Sequence, residues 1–488
     1  MAMTTSDVQK QNAAPILGRG GAALLIVSLL SAAWYLFGHD FFSSIQFPGI
    51  GLTVTQWGLL AAVLICARKS LRLRGNWQGI LLLVLSALMG AAYALYSNNT
   101  LRFLNLPVLT ALSCQAVFSL TGQSAHAPLS AQGIWEGFRR FFISMFTHWS
   151  APFRALGQHK RQTGGKGYAL LIGLALAIPA AGIAVALLSS ADTVFGGAVQ
   201  DRLLAVTQVD ATVILKLFFL FPFTMALFSL LFNALLPERK LSDARCGNPP
   251  PMVFAVVLIA LSVIYALFGY VQIRYLFAGA ESARMAGGYA EYARSGFFQL
   301  VLLSILTLAL ILPSLVLCRQ SKTVRALCAV LSLLTLFIDY SAFSRMRLYI
   351  SAYGLSLLRL LTLWAMAMIA LSLLAAVVKA VCMKARICPI LCSAALITWV
   401  GLNLSNVDNT VACNQAARIN AGEAGIEAFT TLPWSPDYLS AAKSIKNEQI
   451  REKALRYVLS PSDGEKLLHP GLYEWSLDYL QLNQAEIH

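Results

Sequence analysis

The sequence contains 488 residues, of which 58% are hydrophobic and only 12% are charged. Soluble domains carry about 25% charged residues, so this composition excludes an ordinary soluble protein and indicates an integral membrane protein. The formal net charge is +15. Because the positive residues lie in short loops between apolar runs, we attribute this charge to membrane topology and anionic lipid headgroups, and we predict no nucleic-acid partner.

Long apolar runs predict the fold class. A transmembrane helix needs about 20 consecutive apolar residues. The candidate runs are 20–38, 49–67, 78–96, 101–120, 167–190, 211–236, 252–275, 297–317, 324–344, 358–382 and 385–404. We therefore predict an all-α fold, a polytopic bundle of about eleven transmembrane helices whose first helix is not cleaved. Helices 1–4 would occupy 20–120 and helices 5–11 would occupy 167–404.

Lysine and arginine set the predicted orientation. Basic residues are concentrated in the loops 67–78 and 121–166, and again around Arg239, Arg319 and Lys384. The intervening loops are poor in them. This alternation predicts a cytoplasmic N-terminus at 1–19, a cytoplasmic loop at 121–166 and an extracytoplasmic C-terminal tail at 405–488. Arg345 and Arg347 run against the trend, since they fall on the predicted outer side.

The segment 135–153 of the cytoplasmic loop is amphipathic and is not predicted to span. Apolar residues recur in it at helical spacing: Trp135, Phe138, Phe142, Met145, Phe146, Trp149 and Phe153. The other side carries Glu136, Arg139, Arg140 and Ser144. This pattern predicts a helix on the cytoplasmic membrane surface, with arginines that reach toward lipid headgroups. A helix that binds a protein partner is the alternative.

The tail, 405–488, has a sharply different composition, with eleven acidic and seven basic residues. The stretch 438–459 has a helical pattern of apolar positions: Leu439, Ile445, Ile450, Leu455 and Val458. We predict a small helical appendage on the outer face, which offers a second surface for a protein partner.

Two groups of polar residues at or near membrane depth are candidate ligand-binding residues, because ionisable groups there are costly. The first group comprises Arg274, Tyr289, Glu291, Tyr292 and Arg294. The second comprises Asp339, Arg345, Tyr349, Tyr353 and Arg359. The topology places both groups on the outer side, together with a weaker group at 189–195 and with Asn406 and Asp408, so all of them could share one vestibule.

Two interpretations of these groups stay open. Arginine binds phosphate or carboxylate through paired hydrogen bonds, which favours a ligand that carries an anionic group. The other interpretation is a structural network of ion pairs and tyrosines, in which Asp339 neutralises one of the arginines. The sequence has no nucleophile elbow, zinc-protease motif, Walker loop or dinucleotide fingerprint, and its histidines lack metal-ligand spacing, so we predict no metal and no cofactor.

Two sequence phrases resemble a bacterial membrane family known only as domain of unknown function 4173, with its relative 4153. The phrases are 289–294 followed by Gly296 and Phe297, and 341–359, which carries Ser356 where the family has threonine; Asn406, Asp408, Asn414 and Arg418 are also similar to the family's post-membrane segment. The resemblance covers roughly 170–440. It implies a bacterial inner-membrane location and brings no activity.

Three functions are consistent with these patterns. The first is a non-enzymatic protein that senses or transports a ligand from the outer side through the arginine–tyrosine groups. The second is a membrane enzyme that acts on a lipid-linked substrate, with a topology similar to that of membrane glycosyltransferases and with Asp40 in its first outer loop. The third is an assembly partner that docks through 135–153 or the tail.

Overall fold

The computed structural model describes residues 19–38, 48–68, 71, 76–149, 211–235, 250–277, 297–459, 476 and 479, and these contain helices and no strand. The helices of the first half are α1 (Arg19–Gly38), α2 (Ile50–Ala67), α3 (Trp77–Leu95), α4 (Asn99–Leu120), α5 (Ala131–Thr147) and α6 (Ala211–Leu235). The second half has α7 (Pro251–Phe277), α8 (Phe297–Leu317), α9 (Lys322–Tyr353), α10 (Leu357–Val381) and α11 (Ile387–Leu404). The tail has α12 (Val407–Asn420), α13 (Glu427–Thr430), α14 (Leu439–Lys443) and α15 (Glu448–Leu459).

Eight of the described helices are long and apolar enough to cross a membrane: α2, α3, α4, α7, α8, α9, α10 and α11. Shorter apolar stretches lie in α1 and α6, at Leu24–Phe37 and Phe219–Asn233. The all-α membrane fold is thus confirmed. The predicted run 167–190 lies outside the described residues, so a total of about eleven spans stays a prediction.

The chain divides into two units, Met1–Leu241 with Asp463–His488, and Ser242–Ser462. In the first unit, α3 packs on α4, α1 packs on α6, and α5 packs on both α6 and α4. The buried core of this unit includes Leu24, Val63, Phe118, Phe228 and Phe232. Side-chain caps fix where its helices begin, since Asn76, Asn98 and Ser130 each accept a hydrogen bond from a backbone N–H in the following turn.

Helix α9 is the centre of the second unit, where it packs against α7, α8 and α10. It begins after the capping residue Ser321 and runs for 32 residues. It therefore continues nine residues beyond the predicted run 324–344, because no helix breaker occurs before Gly354. Helix α10 starts three residues later behind the cap Ser356, so α9 and α10 form a tight antiparallel pair.

Contacts between α7 and α9 show that these two helices run parallel. Gly269 faces Phe337, and three residues further along α7 the side chain of Gln272 contacts that of Ser341. The C-terminal ends of α7 and α9 therefore lie at the same end of the second unit. Arg274 is in the last turns of α7, so this end of α7 and the C-terminal half of α9, which carries most of the second predicted group, lie at the same end of the unit.

The tail is helical over 407–459, as predicted, but the single helix expected at 438–459 is divided. A 3-10 turn, Pro436–Tyr438, leads into the short helix α14, and α15 starts only at Glu448. Ile445, in the connection between them, is 1% exposed. Of the predicted apolar positions, Leu439, Ile445 and Val458 are buried, and the helix is interrupted over residues 444–447.

Helix α5 is amphipathic as predicted, but its polar side packs against the protein. The polar side chains of Glu136, Arg140 and Ser144 are buried, while Trp135 and Phe146 are 66% and 62% exposed. Arg140 donates to Glu136 Oε1 at 2.8 Å, so the prediction that it reaches toward headgroups is wrong. In a membrane protein an apolar face can contact lipid, and the polar face then packs inward where partners satisfy it.

Glu136 has several donors around its carboxylate. It accepts hydrogen bonds from Arg140 and from the backbone N–H groups of Ala125 and His126. Burial raises the pKa of Glu136, but the bonds from Arg140, Ala125 and the His126 side chain outweigh burial and hold the pKa below its ordinary value of 4.5. The carboxylate is therefore charged when it anchors α5 to the preceding loop.

Candidate functional site

The structure brings the second predicted group together at one end of the second unit. Asp339, Arg345, Tyr349 and Tyr353 follow one another along the C-terminal half of α9, and Arg359 lies in the first turn of α10. From the first group, Arg274 is on α7. Tyr289, Glu291, Tyr292 and Arg294 lie outside the described residues, as do 189–195 and Asp40.

A buried glutamine joins α7 to α9 at this end. Gln272 is 8% exposed, and its Oε1 atom accepts from Ser341 Oγ at 3.3 Å and from Arg345 Nη2 at 3.5 Å. Sequence reasoning did not identify Gln272 or Ser341 as site residues. The available signal was a glutamine inside an otherwise apolar run, two residues before Arg274.

Asp339 is the buried carboxylate of this end of the unit. It is 3% exposed, and its Oδ1 atom has no hydrogen-bond partner in the described structure. No ion pair to Arg345 or Arg359 occurs within the described residues, so the expected neutralisation is not observed. Helix geometry explains this for Arg345, because side chains six residues apart project about 120° from each other around the helix axis.

Arg359 holds the connection between α9 and α10. Its Nη1 atom donates to the carbonyl oxygens of Tyr353, at 3.1 Å, and Gly354. Its guanidinium carbon lies 4.5 Å from the centre of the Tyr349 ring, a cation–π arrangement. The Tyr349 and Tyr353 rings are 5.0 Å apart. The geometry of these three residues is that of a structural network around a helix end.

Three residues of the first tail helix form hydrogen bonds to the same connection between α9 and α10. We call these residues, Asn414, Gln415 and Arg418, the turn clamp. Leu355 N–H donates to Asn414 Oδ1 at 2.7 Å, and Gln415 Nε2 donates to Leu355 O at 2.9 Å. Arg418 Nη2 donates to the Ala352 carbonyl oxygen at 2.6 Å. The clamp satisfies backbone groups that a helix end leaves without partners, and it fastens the tail to the α9–α10 pair.

The junction residues Asn406 and Asp408 belong to the interior of the tail. Asn406 Nδ2 donates to Asp437 Oδ1 at 2.7 Å, and Asp408 and Asp437 are 7% and 5% exposed. Burial, followed by the charges of Asp408 and Asp437 and the nearby Tyr457, raises the pKa of Tyr438. These residues stabilise the fold of the tail around α12, so the geometry gives them no ligand-binding role.

Comparison with known proteins identifies a family. The family model described as a domain of unknown function (DUF4153) matches residues 59–441. The match starts within α2, so it also covers α3, α4 and α5, which the sequence resemblance over roughly 170–440 did not reach, while α1 lies outside it. No curated protein and no solved structure matches the chain.

Proposed function

Because the chain belongs to the DUF4153 family, which carries no assigned activity, we propose a function from the site itself: a multi-pass membrane protein that senses or transports a small anionic ligand from the extracytoplasmic side. The resemblance to bacterial sequences supports the inner membrane as its location. The alternation of basic loops supports a cytoplasmic N-terminus and an outer tail.

The observation that carries this proposal is the buried carboxyl oxygen of Asp339 that lacks a hydrogen bond. Leaving such an oxygen without a partner is costly, and ionisable groups at membrane depth are typical of ion and substrate pathways. Asp339 therefore fits a group whose partner, a proton or a cation, arrives with the ligand.

Arg345 supplies the anion-binding side of the proposed site. Its Nη2 atom lies 3.5 Å from Gln272 Oε1, and a guanidinium can make two short bonds to a carboxylate or phosphate. A ligand anion at Arg345 and a proton or cation at Asp339 would balance each other's charge. That balance lowers the penalty of bringing the anion into a medium of low dielectric constant.

The test uses purified full-length protein, both in detergent for a thermal-shift screen and in liposomes for a flux assay. The candidates are inorganic phosphate, small carboxylates and sugar phosphates. We expect at least one anion to stabilise the protein or to cross the membrane, with the effect lost in Arg345→Ala and Asp339→Asn. Arg347→Ala is the matched control, because Arg347 is exposed on the same helix.

Two outcomes would overturn the proposal. One is the absence of flux and stabilisation across all of these anions. The other is an effect that Arg347→Ala reduces as much as Arg345→Ala does, since the response would then reflect general surface charge on α9. Thermal unfolding of each variant without ligand separates loss of binding from loss of fold.

A further inference from the structure

The first unit contains a cavity of about 320 Å³ between α1, α2, α4, α5 and α6. Its walls are formed mostly by leucine, valine and phenylalanine side chains, such as Leu60, Leu109, Phe118 and Leu231. The volume falls within the range of about 300–1,000 Å³ that is typical of ligand pockets. The cavity belongs to a different unit from the candidate site described above.

Several polar residues in the wall have hydrogen bonds to other groups of the protein, although Gln56 Oε1 has no hydrogen-bond partner in the described structure. The hydroxyl groups of Thr55 and Thr110 donate to carbonyl oxygens of their own helices. Ser113 Oγ lies 2.7 Å from Ser86 Oγ, and Gln56 Nε2 donates to the same Ser86 hydroxyl at 2.9 Å. No charged side chain is among the described residues that line the cavity. A charged ligand is therefore disfavoured, and an apolar one is favoured.

Helix α5 connects the cavity to the membrane surface. Phe141 and Met145 of this helix line the cavity, while Phe142 and Phe146 on the adjoining side are 48% and 62% exposed. An exposed aromatic face of this kind lies in the boundary between headgroups and acyl chains. A lipid beside α5 would therefore have its chains next to the cavity.

We propose that this cavity binds one acyl chain of a membrane lipid. An apolar cavity does not hold ordered water, because water needs polar partners there, and a void leaves the lining atoms without contacts. The volume corresponds to on the order of ten water-sized groups, which suits a stretch of chain and excludes a whole lipid. Bilayer lipids are the apolar chains present at the highest concentration around these helices.

The experiment uses purified full-length protein and a palmitic acid analogue with a diazirine in its acyl chain. After illumination, peptide mass spectrometry maps the cross-linked residues. We expect saturable cross-links in α2, α4 and α6, which unlabelled palmitate reduces. Ala226→Phe, which fills the cavity from α6, should lower them at least severalfold. Val84→Phe is the matched control, because Val84 is 48% exposed on α3 and does not line the cavity.

A second variant, Ser31→Phe, fills the cavity from α1 and keeps the test decisive if Ala226→Phe does not fold. Saturable cross-links that both folded variants weaken, and that Val84→Phe leaves unchanged, would support the proposal. Non-saturable labelling spread over exposed surfaces, or labelling that the cavity-filling variants leave unchanged, would overturn it. So would displacement by an isoprenoid alcohol but not by palmitate, since the bound chain would then be of another class.

Discussion

Replacing Gly354 with alanine should loosen the tail from the membrane helices. Gly354 ends α9 with φ +75° and ψ −177°, a conformation that is essentially restricted to glycine. An alanine Cβ would lie 2.6 Å from Gln415 Nε2 and Oε1 and 2.8 Å from Arg418 Nη1. The substitution therefore strains the backbone and displaces two residues of the turn clamp at once.

The magnitude follows from these two effects. A residue held in this backbone region costs about 1–3 kcal/mol. Each displaced hydrogen bond of the clamp contributes about 1 kcal/mol, and the bonds at risk are those from Gln415 to Leu355 and from Arg418 to Ala352. Gly354→Ala should thus destabilise the attachment of the tail by about 3–5 kcal/mol.

Hydrogen exchange measured by mass spectrometry on the purified protein tests this expectation. Amides of α12 should exchange faster in Gly354→Ala, and the change should be small in α8. Two glycines separate the causes. Gly422 also has φ +75° but nothing within 4 Å of a new Cβ, so Gly422→Ala reports strain alone. Gly401 has ordinary helical geometry and open space, so Gly401→Ala should be neutral or slightly stabilising.

The order of the three variants decides the matter. We expect Gly354→Ala to be the most destabilising, Gly422→Ala to be intermediate and Gly401→Ala to have no adverse effect. If Gly354→Ala exchanges like Gly401→Ala, the turn clamp does not hold the tail. If it exchanges like Gly422→Ala, the clamp residues move aside freely and only the backbone strain matters.

Three further substitutions test contacts elsewhere in the two units. Arg359→Lys should lower stability by about 1–2 kcal/mol in thermal unfolding, because lysine cannot reproduce the paired donors or the stacking on Tyr349. Glu136→Gln should cost about 3–5 kcal/mol, since it leaves the buried charge of Arg140 unpaired; in the wild type the stabilisation that comes from the charged carboxylate should be present above about pH 4.5 and should be lost as the pH falls through the lowered pKa of the folded state. Gly133→Ala should prevent α5 from packing against the preceding loop, because the added Cβ would lie 2.0 Å from the backbone carbonyl oxygen of Ala127.

Each of these variants has a matched control in the chain. Arg347→Lys changes an exposed arginine of α9, Glu452→Gln removes an exposed ion pair with Arg456, and Gly58→Ala adds a methyl group where nothing lies within 4 Å. Controls that lower the melting temperature as much as their partners would contradict the contacts on which the predictions rest. Acid melting unchanged by Glu136→Gln would show that this carboxyl does not control the pH response.

The apolar runs predicted the membrane helices well because spanning a bilayer constrains length and composition so strongly. Each of the ten predicted runs in the described part of the chain corresponds to a helix. The largest error in a predicted helix boundary was at the C-terminal end of α9. The nine residues that the prediction left out contain Arg345, Arg347 and several hydroxyl groups. A hydropathy pattern ends with the last apolar residue of a run. The helix itself continues until a residue such as Gly354 adopts a backbone conformation that ends it.

The contacts around the candidate site were harder to predict, because they join residues far apart in sequence. Leu355 and Asn414, which share a hydrogen bond, are 59 residues apart. Nothing in the local sequence pattern of α12 indicates that Gln415 donates a hydrogen bond to Leu355, just beyond the end of α9. The environment of Arg140 was predicted wrongly for a different reason: the sequence pattern of α5 identifies two faces, but it does not show which groups of the protein pack against the polar face.

The hydrogen bonds on the α10 side of the site are shorter than those on the α7 side, and this difference bears on how a ligand would act. On the α10 side, Arg359 and the turn clamp fix the end of α9 through several short hydrogen bonds. On the α7 side, Gln272 Oε1 accepts hydrogen bonds from Ser341 Oγ at 3.3 Å and from Arg345 Nη2 at 3.5 Å. A conformational change needs an interaction that differs between two states, and the long contacts are the ones that a ligand at Arg345 would replace. We therefore expect α7 to move relative to α9 when a ligand binds, while α9, α10 and the tail move as one body. Distances between spin labels on α7 and α9 should change upon ligand addition, whereas distances between labels on α10 and α12 should stay constant.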